Sequence, residues 1–151
     1  MKLTIKRTNS KNQDFINLVK ELDAFLSVKN GESDAFYSQF NGLEKLQHVV
    51  ILYVDEIPIG CGAIKQYNEN TVEVKRMYVR PQLQGKNLGE KILAELEIWA
   101  KELENTRCIL ETGTMLPEAI RFYEKHQYQR IPNYDQYIDA PESLCFEKLL
   151  E

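Results

Sequence analysis

Met77 to Gly89 reads MYVRPQLQGKNLG, an extended apolar run, a proline and a glycine-containing turn that leads straight into a periodic helix. The first four N–H groups of a helix have no internal partner, and the helix dipole adds about half a positive charge at that end. A strand delivered into such a turn presents an anion cradle, for which a phosphate or pyrophosphate is the natural ligand. Gly85 and Gly89 leave room for the approach, Lys86 adds a cation, and Gln84 and Asn87 add amide groups. The pattern is not a P-loop, which ends Gly-Lys-Ser/Thr, nor a dinucleotide fingerprint with three spaced glycines. Kinase and dehydrogenase chemistry lose ground accordingly.

Downstream of the cradle, Leu88, Ile92, Leu93, Leu96, Trp99, Ala100 and Leu103 form one apolar stripe, which predicts a long amphipathic helix. Upstream, Thr71 to Val79 reads as a strand whose apolar phase slips by one residue near Lys75 and Arg76. Two readings are open there: both faces are buried, or a β-bulge inserts a residue, bends the strand and frees backbone groups.

Further out, Leu3, Ile5 and Arg7 alternate as a short strand. Phe15, Leu18, Val19, Leu22, Phe25 and Leu26 then recur at helical steps, with Ser10 or Asn12 as cap and Asn30 and Gly31 as stop. Ser33 to Asn41 predicts a short helix whose Phe36, Tyr37 and Phe40 serve either core packing or a substrate wall. His48 to Val54 is a β-branched run, Asp55 and Glu56 a turn, and Ile57 to Tyr67 its hairpin partner. Cys108 to Leu110 begin another strand, and Pro117 opens a helix through about His126. Tyr128 to Ile131 and Leu144 to Leu149 close the pattern, with a tyrosine- and acid-rich linker, Pro132 to Ser143, between them. Strands interrupted by helices predict an α/β fold, a mixed sheet covered on both faces.

The chain has 151 residues and a formal net charge of −4. That length fits one domain over residues 1–151, which buries roughly 70% of its unfolded surface without staples. Interspersed charge argues against a nucleic-acid partner and favours a cationic small molecule. Cys61, Cys108 and Cys145 are odd in number and set among apolar neighbours, so reduced thiols in a cytoplasmic protein are expected. They form no close ligand pair with His48 or His126, so no metal site is expected. The first fifteen residues lack the apolar core of a signal peptide. No apolar run approaches the ~20 residues needed to span a bilayer, so no membrane partner is expected.

Two motifs resemble the GNAT superfamily of acetyl-CoA-dependent N-acetyltransferases. The family pattern Arg/Gln-x-x-Gly-x-Gly/Ala is similar to Gln84, Gly85, Lys86, Asn87, Leu88 and Gly89, with Asn87 in place of a glycine. Glu118 to Tyr128, EAIRFYEKHQY, resembles A-I-x-L-Y-E-x-x-G-F/Y, with Phe122 for leucine and Gln127 for the glycine. Leu116 stands where an asparagine is common. The likeness implies the GNAT fold, a mixed, mostly antiparallel central sheet with a bulged, splayed central strand and helices on both faces. It also implies acetyl-CoA as co-substrate and an amine of a small molecule, peptide or protein as acceptor. The backbone of Met77, Tyr78 and Val79 would take the acetyl carbonyl and pantetheine arm, and the amides of Gln84 to Gly89 the pyrophosphate. Dimers are common in that family, so a homodimer is one expectation for assembly.

An alkylamine is neutral in only about one molecule in a thousand at pH 7, so a base assists its attack. Glu73 is the first candidate and Glu111 the second; the bland alternatives are a surface strand residue and a carboxylate satisfying backbone amides. Tyr123 is the candidate acid, because a phenol of pKa near 10 matches a thiolate near 8.5 with little mismatch. Its alternative is a core tyrosine. Phe36, Tyr37, Phe40, Tyr134 and Tyr137 would set specificity if they line the amine side. A non-catalytic acyl-CoA sensor using the same slot is the competing class.

Overall fold

The computed structural model describes residues 2–31, 34–38 and 45–151. In chain order the elements are β1 (Leu3–Thr8), α1 (Gln13–Asn30), α2 (Asp34–Ser38), β2 (His48–Val54), β3 (Ile57–Asn68) and β4 (Thr71–Val79). They continue with α3 (Leu88–Glu102), β5 (Arg107–Gly113), α4 (Pro117–Lys125), β6 (Gln129–Ile131) and β7 (Ser143–Leu149). Single 3₁₀ turns lie at Pro81–Leu83 and Asp135–Tyr137. Of the expected second helix, Asp34–Ser38 is helical, while Ser33 and residues 39–41 lie outside the described residues.

One seven-stranded sheet runs β1-β2-β3-β4-β5-β7-β6. Every adjacent pair is antiparallel except β4 and β5, which run parallel and are joined by α3. The β2–β3 hairpin turns on Asp55 and Glu56, both at positive φ (49° and 71°), the geometry whose twist matches the flanking strands.

Two buried clusters cover the two faces. On one, Leu88, Ile92, Leu93, Leu96 and Ala100 of α3 pack on Val50, Val72, Val74 and Leu110, with Tyr123 of α4 in the same cluster. On the other, Phe15, Leu18 and Leu22 of α1 pack on Val49, Ile51, Cys61, Ala63 and Tyr78. β2 feeds both clusters, which is why its sequence is apolar without alternation.

α1 starts on Asn12, whose side chain accepts from the amides of Asp14 (2.8 Å) and Phe15 (3.2 Å). Its outer edge is tied to β4 and the residue after it. Arg80 meets both oxygens of Glu21, Tyr78 donates to Glu21 Oε1 at 3.2 Å, and Arg76 Nη2 meets Asp23 Oδ1 at 2.6 Å. At the opposite end of the sheet Gln66 Nε2 donates to Asn105 Oδ1 at 2.6 Å and to the carbonyls of Asn68 and Thr71. That amide knot fixes where β4 and β5 begin to pair.

Candidate functional site

β4 and β5 pair only from Thr71↔Arg107 to Glu73↔Ile109, although β4 runs on to Val79 and β5 to Gly113. From Val74 onward β4 is paired on the β3 side alone, so its other edge carries ladder groups with no strand partner. A cleft of about 690 Å³ occupies the space.

The register between β3 and β4 also shifts here. Ala63 faces Lys75 and Cys61 faces Tyr78, so two steps on β3 oppose three on β4. Arg76 takes the left-handed conformation, φ 59°. The extra residue brings Met77 and Val79 onto the same face as Val72 and Val74, all packed in the α3 cluster, which accounts for the phase slip in the sequence. It also turns the Arg76 side chain to the α1 face, where it reaches Asp23.

The cradle lies at one end of the cleft. Gly85 (φ 81°) and Asn87 (φ 62°) are left-handed, so Asn87 supplies the conformation for which glycine is usually chosen. Unlike Asn12 on α1, Asn87 makes no capping hydrogen bond. Among the described residues, the amides of Gly85 to Glu90 have no acceptor outside the helix's own ladder, which the first turn cannot use. A Cβ at Gly89 would come no nearer than 3.5 Å to Phe122, and none would be met at Gly85, so the approach is open.

At the other end, alternation puts Glu73 and Lys75 of β4, and Glu111 of β5, on the α1 face, while Tyr123 reaches the cleft from the α3–α4 face. The Tyr123 hydroxyl has no hydrogen-bond partner among the described residues and is not sealed from solvent. Burial, with a smaller push from Glu111, raises its pKa well above the ordinary phenol value. Burial pushes the Glu111 carboxyl up to about 7; a hydrogen bond with Ser143 pulls down, Glu73 pushes up and Lys75 pulls down. Tyr134 donates to Glu73 Oε2 at 2.7 Å, and its ring packs edge-on against Tyr67 and Tyr137 at 5.6 and 5.8 Å. Burial first and Glu73 second raise the Tyr134 pKa, so the phenol stays a donor. The Tyr37 hydroxyl and Ser143 Oγ are 2.9 Å apart.

Tyr123, Glu73 and Glu111 thus line one cleft with Met77, Tyr78, Val79, Gln84, Gly85, Asn87, Leu88, Gly89, Tyr37 and Tyr137. Lys86 does not line it, nor does Phe36, which is 37% exposed and packs edge-on against Tyr37. Tyr134 joins through its bond to Glu73 rather than as lining. Phe40 lies outside the described residues. Sequence reasoning assigned nothing to Arg76, to Ser143, or to Glu142, whose buried Oε2 has no hydrogen-bond partner among the described residues. For Arg76 the signal was the phase slip itself; for Ser143 and Glu142, which follow a linker, there was none. Among the described residues no group of three His, Cys, Asp or Glu could hold a metal ion, and no helix is long and apolar enough to cross a membrane.

The model of the acetyltransferase (GNAT) family matches residues 16–128. An "IAA acetyltransferase" of Azospirillum brasilense is 29% identical over 98% of both chains. The crystal structure of an acyl-CoA N-acyltransferase candidate from Klebsiella pneumoniae superposes with a TM-score of 0.83 at 31% identity, covering 99% of this chain and 98% of that one. The PaiA N-acetyltransferase of Thermoplasma acidophilum, solved in complex with coenzyme A, shares the fold with a TM-score of 0.77 at 17% identity over 99% of both chains.

Proposed function

Because the chain belongs to the acetyltransferase (GNAT) family, whose reaction is acyl transfer, we propose that residues 1–151 form one domain that moves an acetyl group from acetyl-CoA to a primary amine. The observation that carries this is one cleft shared by two unfilled features. Among the described residues, the amides of Gly85 to Glu90 stand without acceptors at one end, and the Tyr123 hydroxyl stands without a partner at the other. The first suits a pyrophosphate and the second a leaving thiolate.

Acetyl-CoA supplies an activated thioester carbonyl. The edge of β4 from Val74 to Val79, unpaired toward β5, offers N–H and C=O groups to align the pantetheine arm as a strand would. A backbone N–H near Met77 to Val79 then donates to the carbonyl oxygen as the amine adds and that oxygen gains negative charge. Glu73 or Glu111, on the amine side, takes the proton that the new C–N bond releases, directly or through one water. Tyr123, on the other side, gives its proton to sulfur as the C–S bond breaks, and recovers it from solvent. Tyr134 holds one oxygen of Glu73 and leaves the second to the amine. Tyr37 and Tyr137 form part of the acceptor wall. The buried thiols of Cys61, Cys108 and Cys145 support a cytoplasmic setting.

The test is thiol release from acetyl-CoA across a broad panel of amines, with Tyr123→Phe, Glu73→Gln and Glu111→Gln beside the wild type. Turnover that needs Tyr123 supports the reading. Tight acetyl-CoA binding with no turnover on any amine would leave the acyl-CoA sensor in its place.

A further inference from the structure

Resting on that reading, we propose that the acceptor amine also carries a carboxylate, and that Arg76 binds it. The Arg76 side chain is only 7% exposed and lines the cleft. Among the described residues its guanidinium meets Asp23 through Nη2 alone; Nε and both protons of Nη1 have no acceptor. Neighbouring Arg80 differs, spending Nε and Nη2 on the two oxygens of Glu21 at 25% exposure. A guanidinium so deeply placed, with most of its planar donor set unspent, is matched to a carboxylate arriving from the cleft.

The backbone at Arg76 agrees with the same assignment. Arg76 is the residue inserted in the β4 register, at φ 59°, a conformation costly for a residue with a long side chain. Unbroken alternation would aim Arg76 into the apolar α3 cluster; the insertion turns it to the α1 face, on the side of Glu73 and Glu111. The amide cradle at Gly85 to Glu90 lies past the end of β4, at the start of α3, so a pyrophosphate held there does not account for Arg76. Lys29 lines the same cleft and adds positive charge. Glu73 lies three residues before Arg76 on the same strand and both line the cleft, so carboxylates for the amine and a guanidinium for the acid group bracket a molecule of amino-acid size.

Matched pairs of acceptors decide the matter: α- and ω-amino carboxylates against their own carboxamides, at saturating acetyl-CoA. The wild type is expected to favour the carboxylate member at least tenfold in kcat/KM. Arg76→Gln is expected to bring that ratio near one through a raised KM for the carboxylate member, with the KM for acetyl-CoA within twofold of wild type. Since Arg76 also ties β4 to α1, Asp23→Ala removes the tie and keeps the guanidinium, and it should retain the preference. One measurement needs no variant: a carboxylate of the same length without the amine should inhibit competitively against the amine and not against acetyl-CoA. Equal use of both members by the wild type, equal losses on both in Arg76→Gln, or inhibition competitive with acetyl-CoA overturns the proposal while the transferase reading stands. No turnover on any amine removes both.

Discussion

Glu111 and Tyr123 approach the same gap from opposite faces of the sheet, and burial displaces both pKa values upward in ways that can be measured. With its carboxyl pushed up to about 7, Glu111 is protonated over much of the acid range and can accept a proton only above it. If Glu111 is the base, kcat/KM shows an inflection near pH 7 superimposed on the rise from amine deprotonation, and Glu111→Gln abolishes that inflection; an unchanged inflection assigns the base elsewhere. Tyr123, held well above its ordinary value, stays protonated throughout, so no alkaline loss belongs to it near neutrality. Tyr123→Phe should lower kcat by about 10²-fold, within the range of general acid catalysis, with CoA affinity unchanged. Stability carries the opposite sign from activity. Because the folded Glu111 pKa lies above its unfolded value, the native state binds the extra proton between about 4.5 and 7, and its contribution is full below that window and lost above it. The shift corresponds to about 3 kcal/mol, an upper bound because the carboxyl opens partly to the cleft. Glu111→Gln should therefore raise the melting temperature over wild type by several degrees more at pH 8 than at pH 4, in thermal scans of the two proteins side by side. Equal gaps at both pH values would mean that the carboxyl is solvated.

At the scale of elements, α3 serves packing along its length and ligand binding at its start, and the two demands meet at different glycines. Gly60 and Gly62 on β3 let α3 lie close: a Cβ at Gly60 would stand 2.9 Å from Ile92 Cδ1, and one at Gly62 2.8 Å from Leu96 Cδ1 and 2.5 Å from Met77 Sδ of β4. Gly62→Ala should cost about 1–3 kcal/mol, read as a lowered denaturation midpoint. Gly89, by contrast, has room, and a carboxylate in the first turn of a helix complements its dipole. Gly89→Glu should leave the melting temperature of the unliganded protein unchanged or slightly raised, yet weaken CoA at least tenfold by calorimetry. Unchanged CoA affinity in that folded variant would remove the pyrophosphate from this helix. Most of this was legible beforehand, because Leu88 to Ala100 repeats at helical spacing and the MYVRPQLQGKNLG turn has chemistry of its own. The left-handed conformation of Asn87 follows from where it sits in that turn. What periodicity could not show is that the start of α3 lacks a side-chain cap, since Asn87 is a residue type that often supplies one.

Across the whole molecule, residues far apart in sequence meet in ways that no local pattern encodes. The sequence placed Glu73 and Tyr134 separately; that Tyr134 holds Glu73 depends on the 132–142 segment folding back over the sheet, and an aperiodic linker does not announce its path. The same holds for Arg76 and Asp23, 53 positions apart. Strands and helices were readable because each carries its own periodicity, whereas the walls of the cleft come from six of them at once, α1, α2, β4, α3, β5 and α4. That assembly has a thermodynamic consequence. β4 and β5 are joined by three residue pairs and then separated by the cleft, so the two halves of the sheet are held there mainly by helix packing. A ligand that pairs with the open edge of β4 and satisfies the first turn of α3 binds the folded chain and not the unfolded one. At a concentration of 100 times its Kd it adds about 2.7 kcal/mol of stability, or roughly 5–10 °C in a chain of this size. Acetyl-CoA should produce such a shift, and in hydrogen exchange it should protect the amides of Met77 to Val79 and of Gly85 to Glu90 above all others. Adenosine diphosphate, which carries a pyrophosphate but no pantetheine arm, should protect the second group alone. Protection spread evenly over the sheet, or confined to neither segment, would show that the cleft between β4 and β5 is not where the cofactor lies.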